Sequence, residues 1–405
     1  MRRFITEHVD LGTSLTALAL VAVGFVSIYS ATYDARASEI FYRQLLWGAV
    51  GFAALLLVLV LPFRVLQMIS LPAYGLSVLL LVSVLLVGRT VSGSTSWFNF
   101  GALRFQPSEF AKITTALALA TYLSRGHTTL SNIRHLAIAA GIVFLPMVLV
   151  MMQPDTGTAV IFAGMFMPVL FWGGASTFTL LAVVAPAVAA LAALFGTTPF
   201  LIAILIIGVL TFLTKENRVV AAVVFSASVT IGLSVQFVYE RLKPYQQKRI
   251  ATFLDPNADP LGAGYNILQS KVAIGSGGLF GKGYLRGSQT QLNFIPAQWT
   301  DFIFCVPGEE FGFLGAVTVL LLFTILLIRC VSLGSTVNSR YASVVAIGIF
   351  GILGTHVVVN IGMSLGLLPV IGVPLPFLSY GGSALLANMM MVGILMNLYA
   401  NRKEY

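Results

Sequence analysis

Long, uninterrupted apolar runs constrain this chain more than any other feature. About twelve can be counted, at 11–30, 44–61, 72–88, 107–123, 134–152, 156–172, 177–195, 199–214, 218–237, 302–328, 342–364 and 380–400. A helix crosses the hydrocarbon of a bilayer with about 20 apolar residues, roughly 17 to 25 being tolerated. The runs are continuous rather than alternating, so they predict helices and not barrel strands, the only other backbone that satisfies itself in lipid. With 58% hydrophobic and 9% charged residues, and a mean hydropathy of +0.94, a soluble domain is excluded. The predicted fold is all-α: one polytopic transmembrane bundle over residues 1–405 with about twelve helices and a large outer loop before the tenth. The first run has no small-residue cleavage site and many similar runs follow, so it is read as a retained helix, not a signal peptide.

Charge sets the orientation, because Lys and Arg gather in cytoplasmic segments. With the N-terminus inside, the inner segments hold Arg2, Arg3, Arg64, Arg125, Arg134, Lys215, Arg218, Arg329, Arg340, Arg402 and Lys403, and twelve spans return the C-terminus inside. The short outer loops hold fewer, such as Arg36, Arg43, Arg89 and Arg104. The net charge of +9 is then mostly topology, and no nucleic-acid partner is needed to explain it. One long segment, 238–301, is left outside with seven basic and four acidic residues. Long loops translocate largely regardless of charge and are usually functional; a cationic one is expected to meet an anion at the outer face. Cys305 and Cys330 fall in one apolar segment, so no disulfide framework is expected, and no Cys or His cluster offers a zinc or haem site.

Ionisable groups at membrane depth are costly and mark functional sites by default. The stretch PAQWTDFIFCVPGEEFG at 296–312 carries three, Asp301, Glu309 and Glu310. Glu109 and Lys112 stand three apart on a helix beginning near Pro107, the spacing at which side chains meet. Asp155, after Pro154 and before an apolar run, reads first as a helix N-cap. His356 and Asn360 are four apart in an apolar helix, where polar groups most often hydrogen-bond between helices. The run PVIGVPLPFLSYGGS holds three prolines and a Gly pair, so it is no straight helix and must be buried in protein or line a cavity. GSGGLFGKG at 275–283 fails the phosphate-loop template at Ser276 and Gly283; a turn is the simpler reading, with a backbone cradle for diphosphate as the alternative. DPNADPLG at 255–262 reads as turn chemistry.

These residues resemble the SEDS family, the group of RodA, FtsW and SpoVE. The resemblance is carried by LGAGYNILQSKVAIGSGGLFGKGYLRGSQTQLNFIPAQWTDFIFCVPGEEFGFLG at 261–315, RFQPSEFAK at 104–112, QPDTGTA at 153–159 and NIGMSLGLLPVIGVPLPFLSYGGSA at 360–384, in family order. The GAGY and QSKVAIGSGG wording is nearer to the RodA branch, which elongates the cell wall. Two departures stand out. Ala297, Gln298 and Trp299 replace the Glu-Arg-His of many members, so no role of that Glu or His carries over. Residues 173–240 hold three spans where one is usual, so 173–237 is read as carrying an extra helix pair.

The resemblance implies a peptidoglycan glycosyltransferase that polymerises lipid II at the outer face of the bacterial cytoplasmic membrane. It would work with a class B penicillin-binding protein, the crosslinking transpeptidase, and with other elongation-complex proteins. Joining a sugar 4-hydroxyl to an anomeric carbon needs a base, and no paired acid, because a diphosphate leaves without being protonated; hydrolases need two carboxylates. Asp301 stands at the family's catalytic aspartate position and is expected to be that base, against the alternative that Thr300 or Asp301 caps a helix. Arg104, Arg249 and Lys271 are the candidate cations for the leaving diphosphate, helped by a divalent metal such as Mg or Mn. Family resemblance draws Glu109 and Lys112 toward the site, Asp155 has bracing of the cavity as the alternative to its capping role, Trp299 is a candidate sugar stack, and Ser379, Tyr380 and Ser383 are candidate substrate contacts. Glu309 and Glu310 are expected to be supports. The rival readings are a lipid II flippase and a non-catalytic scaffold.

Overall fold

The computed structural model describes residues 10–33, 37–91, 94–100, 103–126, 128–214, 217–242, 244–255, 264–292 and 294–402. The turn expected over 255–262 lies, except for Asp255, outside the described residues, as do Arg2, Arg3, Arg36, Lys215 and Lys403. The helices are α1 (Leu11–Tyr33), α2 (Ser38–Val60), α3 (Phe63–Val87), α4 (Pro107–Leu123), α5 (Ile133–Met152), α6 (Thr156–Trp172), α7 (Thr177–Leu194), α8 (Thr197–Thr214) and α9 (Arg218–Arg241). They continue as α10 (Pro244–Leu254), α11 (Tyr265–Ser276), α12 (Ser288–Gln291), α13 (Cys305–Glu310), α14 (Gly312–Thr336), α15 (Arg340–Ser364) and α16 (Gly382–Ala400). Ten described helices are long and apolar enough to cross a membrane. The remaining two of the twelve expected runs are α4 and α6, each 17 residues long.

The chain divides into two compact units. The first comprises residues 1–128, 137–169 and 265–405. In it α2 runs along α16, α4 packs on α3 and α15, and α14 packs on α15 and α1. Small residues make the close approaches: a Cβ on Gly348 would stand 2.9 Å from Ala116 Cβ, and one on Gly351 would stand 2.8 Å from Met165 Cα. The hydrophobic windows of α15 and α16 are 72% buried, whereas that of α14 is 22% buried. Central helices therefore carry the protein core, and outer helices turn apolar side chains such as Val60 and Leu86, each about four-fifths exposed, toward the lipid.

The second unit comprises residues 129–136 and 170–264. Its core is Ala185, Ala189 and Ile207, with Leu181, Phe200, Ile204 and Phe225 packed against it, so α7, α8 and α9 form a three-helix bundle. Ser176 Oγ accepts from Thr179 N and Asn217 Oδ1 from Val219 N, capping α7 and α9. The Gln247 side chain ties α10 to the end of α9 through the Tyr239 carbonyl at 2.9 Å.

Two elements depart from the expectation. Residues 89–105, read as loop, form a three-stranded antiparallel sheet of β1 (Arg89–Val91), β2 (Ser94–Phe100) and β3 (Leu103–Phe105), with Phe98 opposite Phe105 and Asn99 opposite Arg104. The span expected at 302–328 is displaced to 312–336, after turns over 296–304 and the short α13. Gly312 makes the break: at φ +64 it adopts a left-handed backbone, and a Cβ there would meet Gly281 N at 2.3 Å.

Candidate active site

Asp301 lies in the turn before α13, half-buried, in the first unit. It is not the N-cap of α13, which begins at Cys305 after Phe304. A Cβ on Gly372, an exposed residue at φ +73, would stand 3.6 Å from Asp301 Oδ2. The carboxylate thus faces bare backbone of the proline-rich segment, which is irregular between α15 and α16 as its three prolines dictate.

Four hydrogen bonds lash the 299–301 turn to that segment. Asn360 Nδ2 donates to Asp301 O and to Val373 O, both at 2.8 Å. Ser379 Oγ donates to Thr300 O at 2.6 Å, and Tyr380 N donates to Trp299 O at 2.7 Å. Ser379 Oγ also accepts from Leu375 N at 2.8 Å, so its hydroxyl is committed to shaping the segment. Trp299 and Tyr380 are both half-buried.

Glu109, Lys112 and His356 form one buried cluster. Lys112 Nζ donates to both Glu109 oxygens, at 2.9 and 3.0 Å, and to His356 Nε2 at 2.8 Å. His356 Nδ1 donates to Pro374 O at 3.0 Å, which assigns the tautomer: Nε2 must be the acceptor. Lys112 is 1% exposed, so its charge is neutralised inside the protein, where it braces α4 against α15 and the proline-rich segment. Ser383 Oγ donates to Arg104 O and accepts from Gln106 N, each at 3.2 Å. Gln106 reaches Asp155 Oδ2 at 3.1 Å, and Asp155 Oδ1 accepts from Thr158 N at 3.0 Å. Asp155 therefore does cap α6. Burial raises its pKa, and the bonds from Thr158 only partly offset that.

The candidate cations are less gathered. Lys271 is exposed on α11, and its Cε and Nζ lie over Gly366, where a Cβ would meet them at 2.3 and 2.7 Å. Its neighbour Ser270 bonds the Ser364 carbonyl at 2.8 Å. Arg104 is exposed on β3. Arg249 lies on α10 in the second unit, and its side chain is outside the described residues.

The glycine-rich loop is no anion cradle. Gly281 N, Lys282 N and Gly283 N donate to Gly277 O, Glu309 O and Glu310 O. Glu309, fully buried, accepts from Lys282 Nζ, Gln289 N and Thr290 N. Glu310 accepts from Ser30 and Gln291; burial raises its pKa, opposed by those two bonds. Both glutamates are supports. Cys305 and Cys330 are free and buried, and burial pushes the Cys305 thiol up, away from the thiolate a nucleophile requires. Among the described residues no three of His, Cys, Asp and Glu come together as a metal-holding group.

Sequence reasoning missed the roles of Gln44 and Gln106, and the partners of Asn360. Gln44 Nε2 donates to Ser379 O and its Oε1 accepts from Gly381 N. A Gln at the head of the apolar run 44–61 was the available signal.

Residues 11–203 and 195–404 match the family model described as "Cell cycle protein", FTSW_RODA_SPOVE. The chain is 35% identical to "Peptidoglycan glycosyltransferase RodA" of Treponema pallidum (strain Nichols), over 96% of each chain. It is 36% identical to "Peptidoglycan glycosyltransferase MrdB" of Escherichia coli (strain K12), over 98% of this chain and 95% of the relative. Among solved structures it resembles a chain from "Structural coordination of polymerization and crosslinking by a peptidoglycan synthase complex", with 31% identity, TM-score 0.76 and coverage of 98% and 99%. It also resembles rod shape determining protein RodA of Thermus thermophilus, with 28% identity, TM-score 0.65 and 98% coverage of each. With two overlapping family matches that together run from residue 11 to 404, and ten helices able to cross a bilayer, the chain is a multi-pass membrane protein belonging to the SEDS (FtsW/RodA/SpoVE) family.

Proposed function

We propose that this protein is a peptidoglycan glycosyltransferase that polymerises lipid II into glycan strands during cell elongation, with Asp301 as general base. The observation that carries the reading is the setting of Asp301: a half-buried carboxylate opposite the exposed backbone of Gly372, its own turn held from behind by buried donors. In the step, the acceptor's 4-hydroxyl oxygen forms a bond to the donor's anomeric carbon. The hydroxyl proton passes to the Asp301 carboxylate. The bond from that carbon to the diphosphate breaks with its electron pair on the departing polyprenyl diphosphate, and the configuration inverts.

Lys271 and Arg104, both exposed, are the cations proposed to meet the diphosphate. Trp299 and Tyr380, both half-buried, are the side chains proposed to flank a sugar beside Asp301. Ser379, Ser383, Glu109, Lys112 and Asp155 serve the site by holding its walls. A divalent ion such as Mg or Mn would be carried by the diphosphate itself and not by a group of three protein ligands, since no such group comes together among the described residues, and no step is routed through one.

A crosslinking partner of the class B penicillin-binding type is the natural associate, since the similar solved chain comes from a complex whose description couples polymerisation to crosslinking. Both termini are read as cytoplasmic, from the distribution of Lys and Arg. The test is purified protein with lipid II in detergent, with and without the transpeptidase. Glycan chains that vanish in Asp301→Asn support the reading. Polymerisation that persists in Asp301→Ala would sink it, and translocation of lipid II in vesicles without any polymer would identify a flippase.

A further inference from the structure

One face of α15 presents His356, Asn360 and Ser364 at successive helical turns. Each of these residues meets a different part of the region around Asp301. His356 bonds Lys112 and the Pro374 carbonyl. The Asn360 amide bridges the Asp301 and Val373 carbonyls at 2.8 Å each. Ser364 bonds back to the Asn360 carbonyl at 3.0 Å, while its own carbonyl takes the Ser270 hydroxyl, next to Lys271. Only Asn360 touches the catalytic turn itself. It also bonds the residue after Gly372, whose bare backbone Asp301 faces.

We infer that Asn360 is a positioning residue that sets the distance between the Asp301 carboxylate and the Gly372 backbone by holding both chains on one amide group. The inference rests on the reading of Asp301 as base. The mechanical reason is specific. Neither helix nor strand runs through 296–304; its own turn bonds and the Gln298 bond to the Ala31 carbonyl hold it from other sides, and the bonds to Asn360, Ser379 and Tyr380 set its position against the proline-rich segment. Of these, only the Asn360 bond is made to Asp301 itself. Asn360 is fully buried, as a residue acting by geometry and not by contact with substrate should be. A general base works within about 3 Å of the proton it removes, and a displacement near 1 Å costs on the order of 100-fold in rate.

Asn397 supplies the comparison. It too is fully buried, and its amide donates to Val58 O, Leu59 O and Leu61 O, closing the end of α2 away from the catalytic turn.

The experiment is steady-state polymerisation of lipid II by the full chain with its transpeptidase, together with thermal denaturation, for Asn360→Ala, Asn397→Ala, Asp301→Ala and the double variant Asn360→Ala/Asp301→Ala. The expected result is a kcat reduced about 100-fold in Asn360→Ala, KM within about threefold, and no further loss when Asn360→Ala is added to Asp301→Ala. Asn397→Ala is expected to lower the melting temperature at least as much as Asn360→Ala while keeping kcat within about threefold. The inference is overturned by near-normal kcat in Asn360→Ala, by a loss confined to KM, or by an equal kcat loss in Asn397→Ala. Should Asp301→Ala itself stay active, it is the base assignment that fails; an inactive Asp301→Ala beside an active Asn360→Ala overturns the positioning role alone.

Discussion

Lys282 Nζ lies 2.7 Å from Glu309 Oε1, across 27 residues, and the carboxylate it meets is completely shielded from solvent. Gln289 N at 2.8 Å and Thr290 N at 2.9 Å complete the shell. A single buried carboxylate thus ties the glycine-rich loop and α12 to α13.

This arrangement makes stability of the loop pH-dependent. Burial alone would raise the Glu309 pKa, but the Gln289 and Thr290 amides and the Lys282 ammonium outweigh it, and the net shift is downward. A carboxylate whose folded pKa lies below its unfolded one adds stability that is present above the unfolded value and lost as pH falls through the folded one. Below about pH 4, amide exchange at 282–290, corrected for its intrinsic rate, should rise sharply. Glu309→Gln should flatten that dependence, and Glu309→Ala should cost on the order of 3 kcal/mol, because it strands a cation and two buried amides.

The Glu109–Lys112–His356 cluster should behave as a unit. Lys112→Met leaves a buried carboxylate without its cation and should cost about 3 to 5 kcal/mol, read as a lowered melting temperature in detergent. Adding Glu109→Gln removes the orphaned charge and should recover a substantial part. If the double variant is as unstable as the sum of the singles, the two residues are not coupled through their ion pair.

Much of this architecture was legible. The ten described helices able to cross a bilayer and the two of 17 residues lie on runs counted by hydrophobic length alone, which is local information, and the pairing of Glu109 with Lys112 follows from their spacing three residues apart. His356 and Asn360 were recognisable as interhelical hydrogen-bonders, but their partners Lys112, Pro374 and Asp301 are fixed by tertiary packing that no local pattern encodes. The sheet at 89–105 was missed although Thr90, Val91, Trp97, Phe98 and Phe100 beside Gly93 and Gly101 carry strand and turn chemistry; a loop between apolar spans hid it. The break at Gly312 was missed because an apolar run says nothing of where a helix restarts, and the close approach to Gly281 that demands a glycine is again non-local.

The backbone of Ala297 is left-handed, at φ +55. Such a conformation costs an L-residue roughly 1 to 2 kcal/mol, and glycine adopts it freely. Ala297→Gly should therefore raise the melting temperature, by an amount corresponding to about 1 kcal/mol, with polymerisation retained. Ala297→Val, β-branched and intolerant of this region, should lower both stability and activity. A destabilising Ala297→Gly would show that the turn before Asp301 needs the alanine for a reason other than backbone conformation.

Two glycines of the 275–283 loop separate a turn that is merely bent from one that is packed. Gly278 and Gly281 both have positive φ, +57 and +80. A Cβ on Gly278 would meet nothing within 4 Å, whereas one on Gly281 would stand 2.1 Å from Glu310 O and 2.6 Å from Phe311 Cα. Gly278→Ala should then cost only the backbone strain of about 1 kcal/mol. Gly281→Ala adds a clash with backbone that cannot rotate away. It must push residues 281–283 off 309–311 and break the Lys282 N and Gly283 N bonds to the Glu309 and Glu310 carbonyls, for a cost at least twice as large. Amide exchange should register that rupture at Lys282 and Gly283 in Gly281→Ala and leave both protected in Gly278→Ala. Equal effects of the two substitutions would mean that the loop is free of α13, and would return it to the flexible turn that its glycine content alone suggests.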